Sequence, residues 1–250
     1  MSRVLKIGGS IITDKSRDLT ARQDEIVRTA KEIASCPQDL VLVHGAGSFG
    51  HIPARRFGLP EKFSPQGLVA THMSVVRLNE MVVRALGDAG VACLPIQPLS
   101  CVTLRDGRID SFFLHPIKEM LKRGILAVLH GDVAMDCTRG AGIVSGDQLV
   151  SYLGKALSAE VVAVGCDVEG VMLCGRPLQE VRRRDLSAIG SALGGSAGVD
   201  VTGGMRGKLL ELLDLADSGI SSVIFDAGKE GNIRRALLGE NVGTRVEGSA

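Results

Sequence analysis

The sequence predicts an α/β protein with an open, mostly parallel sheet and helices on both faces. Three observations predict it. Short apolar runs rich in Val, Ile and Leu alternate with helical patterns along the 250 residues. The runs are continuously apolar, as expected of strands covered on both faces. Several of them end in Gly or His-Gly, and an open α/β sheet binds its ligands beyond the carboxyl ends of its strands.

The strand-like runs lie at residues 4–7, 40–43, 91–96, 125–129, 161–164 and 222–225. Helical patterns cover 21–34, 65–89, 113–122, 146–157, 205–218 and 232–238. This βαβα order places crossover helices on the two faces of a sheet. Two hairpins interrupt it. Residues 102–109 centre on Asp106-Gly107, a favoured two-residue turn, and residues 171–178 form the second. No low-complexity linker or repeat is apparent. A chain of this size can bury one generous core. The organisation expected is a single domain, residues 1–250, with approximate lobes 1–140 and 141–250.

Bulk properties exclude several functions. The 29 basic and 28 acidic residues leave a net charge of +1, which argues against a nucleic-acid partner. Six Phe, one Tyr and no Trp provide few stacking platforms for single strands. Arg182, Arg183 and Arg184 form a local basic run, expected to be a solvated surface turn. The six cysteines form no C-x-x-C pair and mostly sit beside apolar runs, so neither zinc nor disulfides are expected. The N-terminal residues lack a signal-peptide pattern, and no apolar run is long enough to span a bilayer. A cytoplasmic setting and no membrane partner are the expectations.

Six stretches carry the chemistry. Lys6-Ile7-Gly8-Gly9-Ser10 ends the first strand; its glycines let backbone N–H groups approach a phosphate, and Lys6 adds a compact charge. His44-Gly45-Ala46-Gly47-Ser48-Phe49-Gly50-His51 comes after the second strand and contains G-x-G-x-x-G. A dinucleotide site needs a long helix directly afterwards and an acidic residue about 20 positions on. Here Pro53, Gly58 and Pro60 interrupt the next segment, and no Asp or Glu lies between Lys62 and Asn79. The dinucleotide reading therefore fails, while a loop of N–H donors closed by His51 survives.

Ser145-Gly146-Asp147-Gln148 reads as a capping box, so a helix starts there. Asp147 is either a first-turn carboxylate favoured by the helix dipole or a group that holds lysines. Thr202-Gly203-Gly204-Met205-Arg206-Gly207-Lys208 resembles a P-loop without being one. Three residues separate Gly203 from Gly207, where a P-loop has four, and Leu209 comes after the lysine. It remains a glycine turn opening a helix, with Lys208 about one turn in. Gly165-Cys166-Asp167-Val168-Glu169-Gly170 forms a rim loop, and His130-Gly131-Asp132 continues another strand into the same rim.

The order of these stretches is more specific than any one of them. Strand–K-x-G-G-S, strand–H-G-x-G, S-G-D before a helix, strand–D-x-x-G-V and T-G-G-M-x-x-K together resemble the amino acid kinase family across the whole chain. Within that family, the run G-x-G-S-F-G-H and the early Lys15 look like the members whose acceptor is isopentenyl phosphate. Fosfomycin kinases have a similar histidine and are the alternative. An oxyanion binder of the same fold is a second alternative, because fold does not settle function.

The resemblance implies a three-layer sandwich and an ATP-dependent phosphotransferase of isoprene biosynthesis in the mevalonate pathway. Lys6 and Lys208 would hold the β- and γ-phosphates of ATP, and Asp147 would orient both lysines. Lys15 would neutralise the transferring group. Gly8, Gly9, Ser10 and Gly47 would cradle nucleotide phosphates, with Asp167, Gly203 and Gly204 on the nucleotide side. Ala46, Gly50, His51 and Gly131 would hold the acceptor phosphate. Mg²⁺ is expected with the nucleotide and no protein ligand is assigned to it. A homodimer is also implied. Met73, Val76 and Met81, near one face of the long helix, are candidates for an apolar tail wall or for core packing.

Overall fold

A computed structural model of the chain describes residues 2–14, 16–36, 39–173, 175–187, 189 and 203–248. Of the expected site residues, Lys15 lies outside these, as do Thr202 of the last glycine motif and Cys174 of the second hairpin.

The chain begins β1 (Arg3–Ile7), α1 (Gly9–Ile12), α2 (Gln23–Ala34), β2 (Leu40–His44), α3 (Gly47–Arg56), α4 (Pro65–Asp88) and β3 (Cys93–Pro95). Next come α5 (Pro98–Cys101), β4 (Val102–Arg105), β5 (Arg108–Phe112), α6 (His115–Lys122), β6 (Leu126–His130), β7 (Asp132–Asp136), β8 (Gly140–Val144) and α7 (Gly146–Ala156). The remainder contributes β9 (Val161–Cys166), β10 (Met172–Leu173), β11 (Arg176–Pro177), β12 (Glu180–Val181), α8 (Gly203–Ala216), β13 (Ser222–Asp226), α9 (Asn232–Leu237) and β14 (Gly243–Val246).

An eight-stranded sheet runs β12-β14-β13-β9-β1-β2-β6-β3. The strands from β13 to β3 are parallel to one another, and only β14 pairs antiparallel, with β13. Alternation along the strands divides the core. Val4, Val41, Val43, Ala127 and Leu129 pack on one face with Leu149, Val150 and Leu153 of α7 and Leu212 of α8. Leu5, Ile7, Leu40, Leu42 and Val128 pack on the other with Ile26 of α2, Leu78 of α4 and Ile233 of α9. Successive side chains leave a strand on opposite faces, so strands buried on both sides must be apolar throughout. Burying each such Val, Leu or Ile stabilises the fold by about 1.5–3 kcal/mol. The same alternation puts Lys6 on the face of Val4, beneath α7 and α8.

A four-stranded sheet, β5-β4-β7-β8, carries the expected Asp-Gly hairpin. The β7–β8 hairpin beside it is not among the elements that the sequence predicts. Its Asp136 accepts the amides of Thr138, Arg139 and Gly107, holding both hairpin turns together.

The structure corrects three local expectations. Pro53 does not stop the chain after β2 from being helical: it lies inside α3, whose first turn begins at Gly47. The capping box at α7 is half made. Ser145 Oγ accepts Gln148 N at 3.1 Å, but the Gln148 side chain reaches away to Gly107 O. Met73 and Met81 lie exposed on the outer face of α4, while Val75, Leu78 and Val82 face inward, so those methionines are not core. The arginine run is matched by acids: Arg183 binds Asp214 and Asp217, and Arg182 binds Glu180.

Candidate active site

The site lies where β1, β2, β6 and β9 end and helices begin. Lys6 is next to last in β1 and only 5% exposed. Its Nζ donates to Asp147 Oδ1 at 2.6 Å, and Nζ of Lys208 reaches the same oxygen at 3.2 Å. Asp147 is the second residue of α7, which starts at the Ser145 cap, and Lys208 is one turn into α8. Helix dipole alone would leave Asp147 an exposed first-turn carboxylate; here it is partly buried, its side chain 18% exposed, between two cations.

The charges respond to this burial. Burial pushes the Lys6 ammonium down to about 8, even though Asp147 opposes it, and the neighbouring Lys208 adds to the depression. For Lys208 burial is the largest single effect and favours the neutral form, but Asp147 and Cys166 together oppose it and the net shift is upward. Asp147 is held below the usual carboxylate range by Lys6 and Lys208, against a burial effect that would raise it. Two cations and one anion leave a surplus positive charge at the head of three strands.

Two glycine segments meet beside that charge. A Cβ added to Gly9 would lie 2.4 Å from Gly47 N, and one on Gly45 would lie 2.4 Å from Gly9 N. Only glycine permits this approach. Gly47 also sits at φ +52, a conformation that side chains disfavour. Thr13, fully buried, ties α1 to α3: its Oγ1 donates to Gly9 O at 2.7 Å and accepts Ser48 N at 3.2 Å. Sequence reasoning misses Thr13, since a lone threonine after a glycine turn carries no visible signal. The opening amides of a helix lack partners within it; here Thr13 Oγ1 takes Ser48 N, Ala46 O takes Phe49 N and Gly8 O takes Ile11 N, so the candidate phosphate donors are the Gly9, Ser10 and Gly47 amides. The buried Ser48 hydroxyl has no partner among the described residues.

The remaining expected residues take different parts. Gly8 N donates to Gly165 O at 2.8 Å, so Gly8 contributes space and turn geometry rather than a free donor. Ser10 stands half-buried in α1. Ala46 has φ −72, so its side chain causes no backbone strain. His51 is exposed on α3, in a helix rather than at the end of a loop. Gly50 faces packing: a Cβ there would lie 2.4 Å from Ala46 Cβ and 3.4 Å from Val75 Cγ1 of α4. Gly131 N donates to His44 O at 3.0 Å, so this amide is not available to a ligand; a Cβ at Gly131 would meet Gly146 N at 3.4 Å and Ala46 N at 3.8 Å. Asp167 is exposed just beyond β9, and Gly203 and Gly204 open α8, where a Cβ on Gly204 would meet nothing within 4 Å among the described residues.

Beneath the rim lies a polar layer that sequence reasoning does not assemble. His44 and His130 are register partners on β2 and β6, with ring centroids 5.6 Å apart. His44 Nε2 lies 3.0 Å from Asn79 Oδ1, and His130 Nε2 lies 2.6 Å from Gln97 Oε1. Burial lowers the pKa of both, with His130 pushed down to about 3, so both rings are neutral at neutral pH. His72 on α4 binds Asp132 at 2.9 Å, and that hydrogen bond raises the imidazole pKa despite partial burial. The repeated His-Gly after two strands is the signal that could have found this layer.

Among the described residues no group of three or more His, Cys, Asp or Glu side chains is placed to hold a metal ion. No helix among them is long and apolar enough to cross a membrane. A paired-lysine anion site at helix N-termini can bind and polarise a polyphosphate, and fold and site together define a small-molecule phosphotransferase.

Comparison with known proteins agrees. The model of the amino acid kinase family matches residues 1–226. The isopentenyl phosphate kinase of Methanothermobacter thermautotrophicus is 38% identical over 263 residues, covering 98% of each chain. That of Methanocaldococcus jannaschii is 33% identical over 262 residues, covering 99% of each. A solved isopentenyl phosphate kinase structure superposes with a TM-score of 0.86 at 33% identity, covering 98% of this chain and 100% of that one. The chain belongs to the amino acid kinase family.

Proposed function

We propose that this protein transfers the γ-phosphoryl group of ATP to isopentenyl phosphate, giving ADP and isopentenyl diphosphate. The full-length relatives named for that activity support the reading. The structural observation that carries it is the join between the phosphate side of the site and a small apolar cluster. Ala54, Leu59 and Val133 are buried together, with Leu68, Leu99 and Ile143 packed against them. Ala54 lies four residues beyond Gly50 on the buried face of α3, one turn along from His51, and Val133 is two residues beyond Gly131. An anion site with an apolar wall one turn away suits a phosphate ester with a short hydrocarbon tail. Amino acid or carbamate acceptors have no use for that wall.

The acceptor is already an anionic phosphate oxygen, so no general base is required. Catalysis is positioning and charge neutralisation. Lys6 and Lys208 bind the β- and γ-phosphates, and Asp147 keeps both ammonium groups aimed at the transferring group. The Gly9, Ser10 and Gly47 amides line the phosphate path. His51 donates to the acceptor phosphate. The cationic and N–H donor set fits the nucleotide's phosphates; Mg²⁺ would arrive with the nucleotide and would supply charge neutralisation beside Lys6 and Lys208. The proposed division has the acceptor held mainly by residues 1–140 and the nucleotide mainly by 141–250. A cytoplasmic homodimer is proposed with it, to be checked by light scattering.

The test is an assay of ADP release over a panel of isopentenyl phosphate, dimethylallyl phosphate, fosfomycin, UMP, acetylglutamate and carbamate. Isopentenyl phosphate should give the highest kcat/KM. Preference for any acceptor without a hydrocarbon tail would reject the reading.

A further inference from the structure

The β4–β5 hairpin has no part in the phosphoryl-transfer mechanism, yet its tip holds both helices that carry Asp147 and Lys208. Gln148, the residue after Asp147, donates from Nε2 to Gly107 O at 3.1 Å. Arg108 donates from both terminal nitrogens to Glu211 of α8, with Nη2 to Oε2 at 3.0 Å. Glu211 lies three residues beyond Lys208, so both project from neighbouring positions on one helix. The Glu211 carboxylate is mostly enclosed, its side chain 12% exposed, while Arg108 is 58% exposed and closes over it from outside. Ser151 Oγ donates to Glu211 O at 3.0 Å, joining α7 to α8 at the same point.

On its other side the hairpin is fastened to the acceptor half. Asp136 accepts Gly107 N at 2.7 Å, and Thr138 Oγ1 accepts Asp106 N at 2.9 Å. β7, which leads to Asp136, starts directly after Gly131. A continuous set of polar contacts therefore runs from the acceptor-side strand through the hairpin tip to α7 and α8.

Apolar packing holds α8 to the sheet through Leu209, Leu212, Leu213 and Leu215. Such packing is non-directional and resists sliding along the helix axis poorly. A slide of one residue, about 1.5 Å, would take Lys208 off Asp147. A forked Arg–carboxylate pair is directional and opposes that slide.

We propose that Arg108 is a positioning residue for phosphoryl transfer: its fork on Glu211, with Gln148 on Gly107, sets the register of α8 against α7 and keeps Lys208 on Asp147. The proposal rests on the kinase reading for its activity measurement and on nothing beyond the structure for its second readout. An ion pair with one exposed partner and no such role would add little stability and leave activity alone.

The experiment uses the full chain with Arg108→Ala, Arg108→Lys, Glu211→Gln and the double variant Arg108→Ala/Glu211→Gln. Position 108 is exposed, so the fold should persist, as melting will verify. Arg108→Ala should lower kcat roughly 10-fold, with the acceptor KM changed less than about 2-fold, the pattern of a misaligned catalytic group. Arg108→Lys should recover part of the loss. The double variant should lose no more than the worse single, because both substitutions break one contact. Without any substrate, amide hydrogen exchange across residues 205–209 should accelerate in Arg108→Ala. If the unaltered protein does not turn over isopentenyl phosphate, the functional proposal fails and the exchange measurement alone judges the latch. Unchanged exchange in Arg108→Ala, unchanged kcat in an active protein, or additive losses in the double variant each overturn it.

Discussion

Lys6 and Lys208 meet on a single carboxylate oxygen: their ammonium groups lie 2.6 and 3.2 Å from Asp147 Oδ1. They come from β1 and from α8, about two hundred positions apart in the chain. One acid thus holds two cations at a fixed separation, ready for a polyphosphate.

Each lysine should therefore be needed for the chemical step. Lys6→Ala or Lys208→Ala should reduce kcat by roughly 10²-fold or more, the scale of losing one transition-state charge contact. Circular dichroism should show the fold retained. Turnover near that of the unaltered protein in either folded variant would remove that lysine from the mechanism.

The pH profile should report Lys6. Its pKa is lowered by burial to about 8, so the ammonium is charged below that pH and is lost above it. kcat/KM for ATP, which reports the free enzyme, should be level up to about 8 and fall beyond it. Asp147 raises the lysine pKa, so Asp147→Asn should move the alkaline limb to lower pH as well as reduce kcat. Removing one partner of a buried charge cluster costs about 3–5 kcal/mol, against about 0.3–1 for a helix-terminus charge alone. A melting shift in the smaller range with an unmoved limb would assign Asp147 only to the helix dipole.

His51 should discriminate between acceptor and nucleotide. Hydrogen bonds to charged groups contribute about 1.5–3 kcal/mol, so His51→Ala should weaken acceptor binding by roughly 10- to 150-fold. ATP affinity, measured separately by calorimetry, should hold. His51→Gln keeps a donor and should lose less. Damage to ATP binding with acceptor affinity intact would reverse the assignment.

The glycine contact should tolerate no side chain. A Cβ at Gly9 would stand 2.4 Å from Gly47 N, so Gly9→Ala must push α1 and α3 apart. Nucleotide affinity should drop and the melting temperature should fall. As a control, Gly204→Ala adds a Cβ that meets nothing within 4 Å among the described residues, and its melting temperature should stay the same or rise. Equal behaviour of the two variants would refute the steric argument.

Much of this is legible in the sequence because it depends on local patterns. The strand at 161–164 and the helix at 65–89 fall within two residues of β9 and α4, since continuous apolar runs and an N-terminal Ser-Pro are short-range signals. α3 is hidden because Pro53 reads as a breaker, yet a single missing amide donor does not end a helix packed against α4. The β7–β8 hairpin is hidden because its residues gain strand geometry only by pairing with each other and with β4.

The class of fold, the glycine turns at the strand ends, and the lysines and acid next to them are all legible from residue order alone. These depend on periodicity of 2 and 3.6 and on the steric freedom of glycine, properties of a residue and its near neighbours. Only the tertiary structure decided that Lys6 and Lys208 share one oxygen, that the Gly131 amide is already engaged by His44, and that Gln148 reaches Gly107 instead of completing a cap. Those outcomes depend on competition among partners from distant parts of the chain. A polar group takes the best-aligned partner that packing brings within about 3 Å, and sequence spacing does not contain that distance.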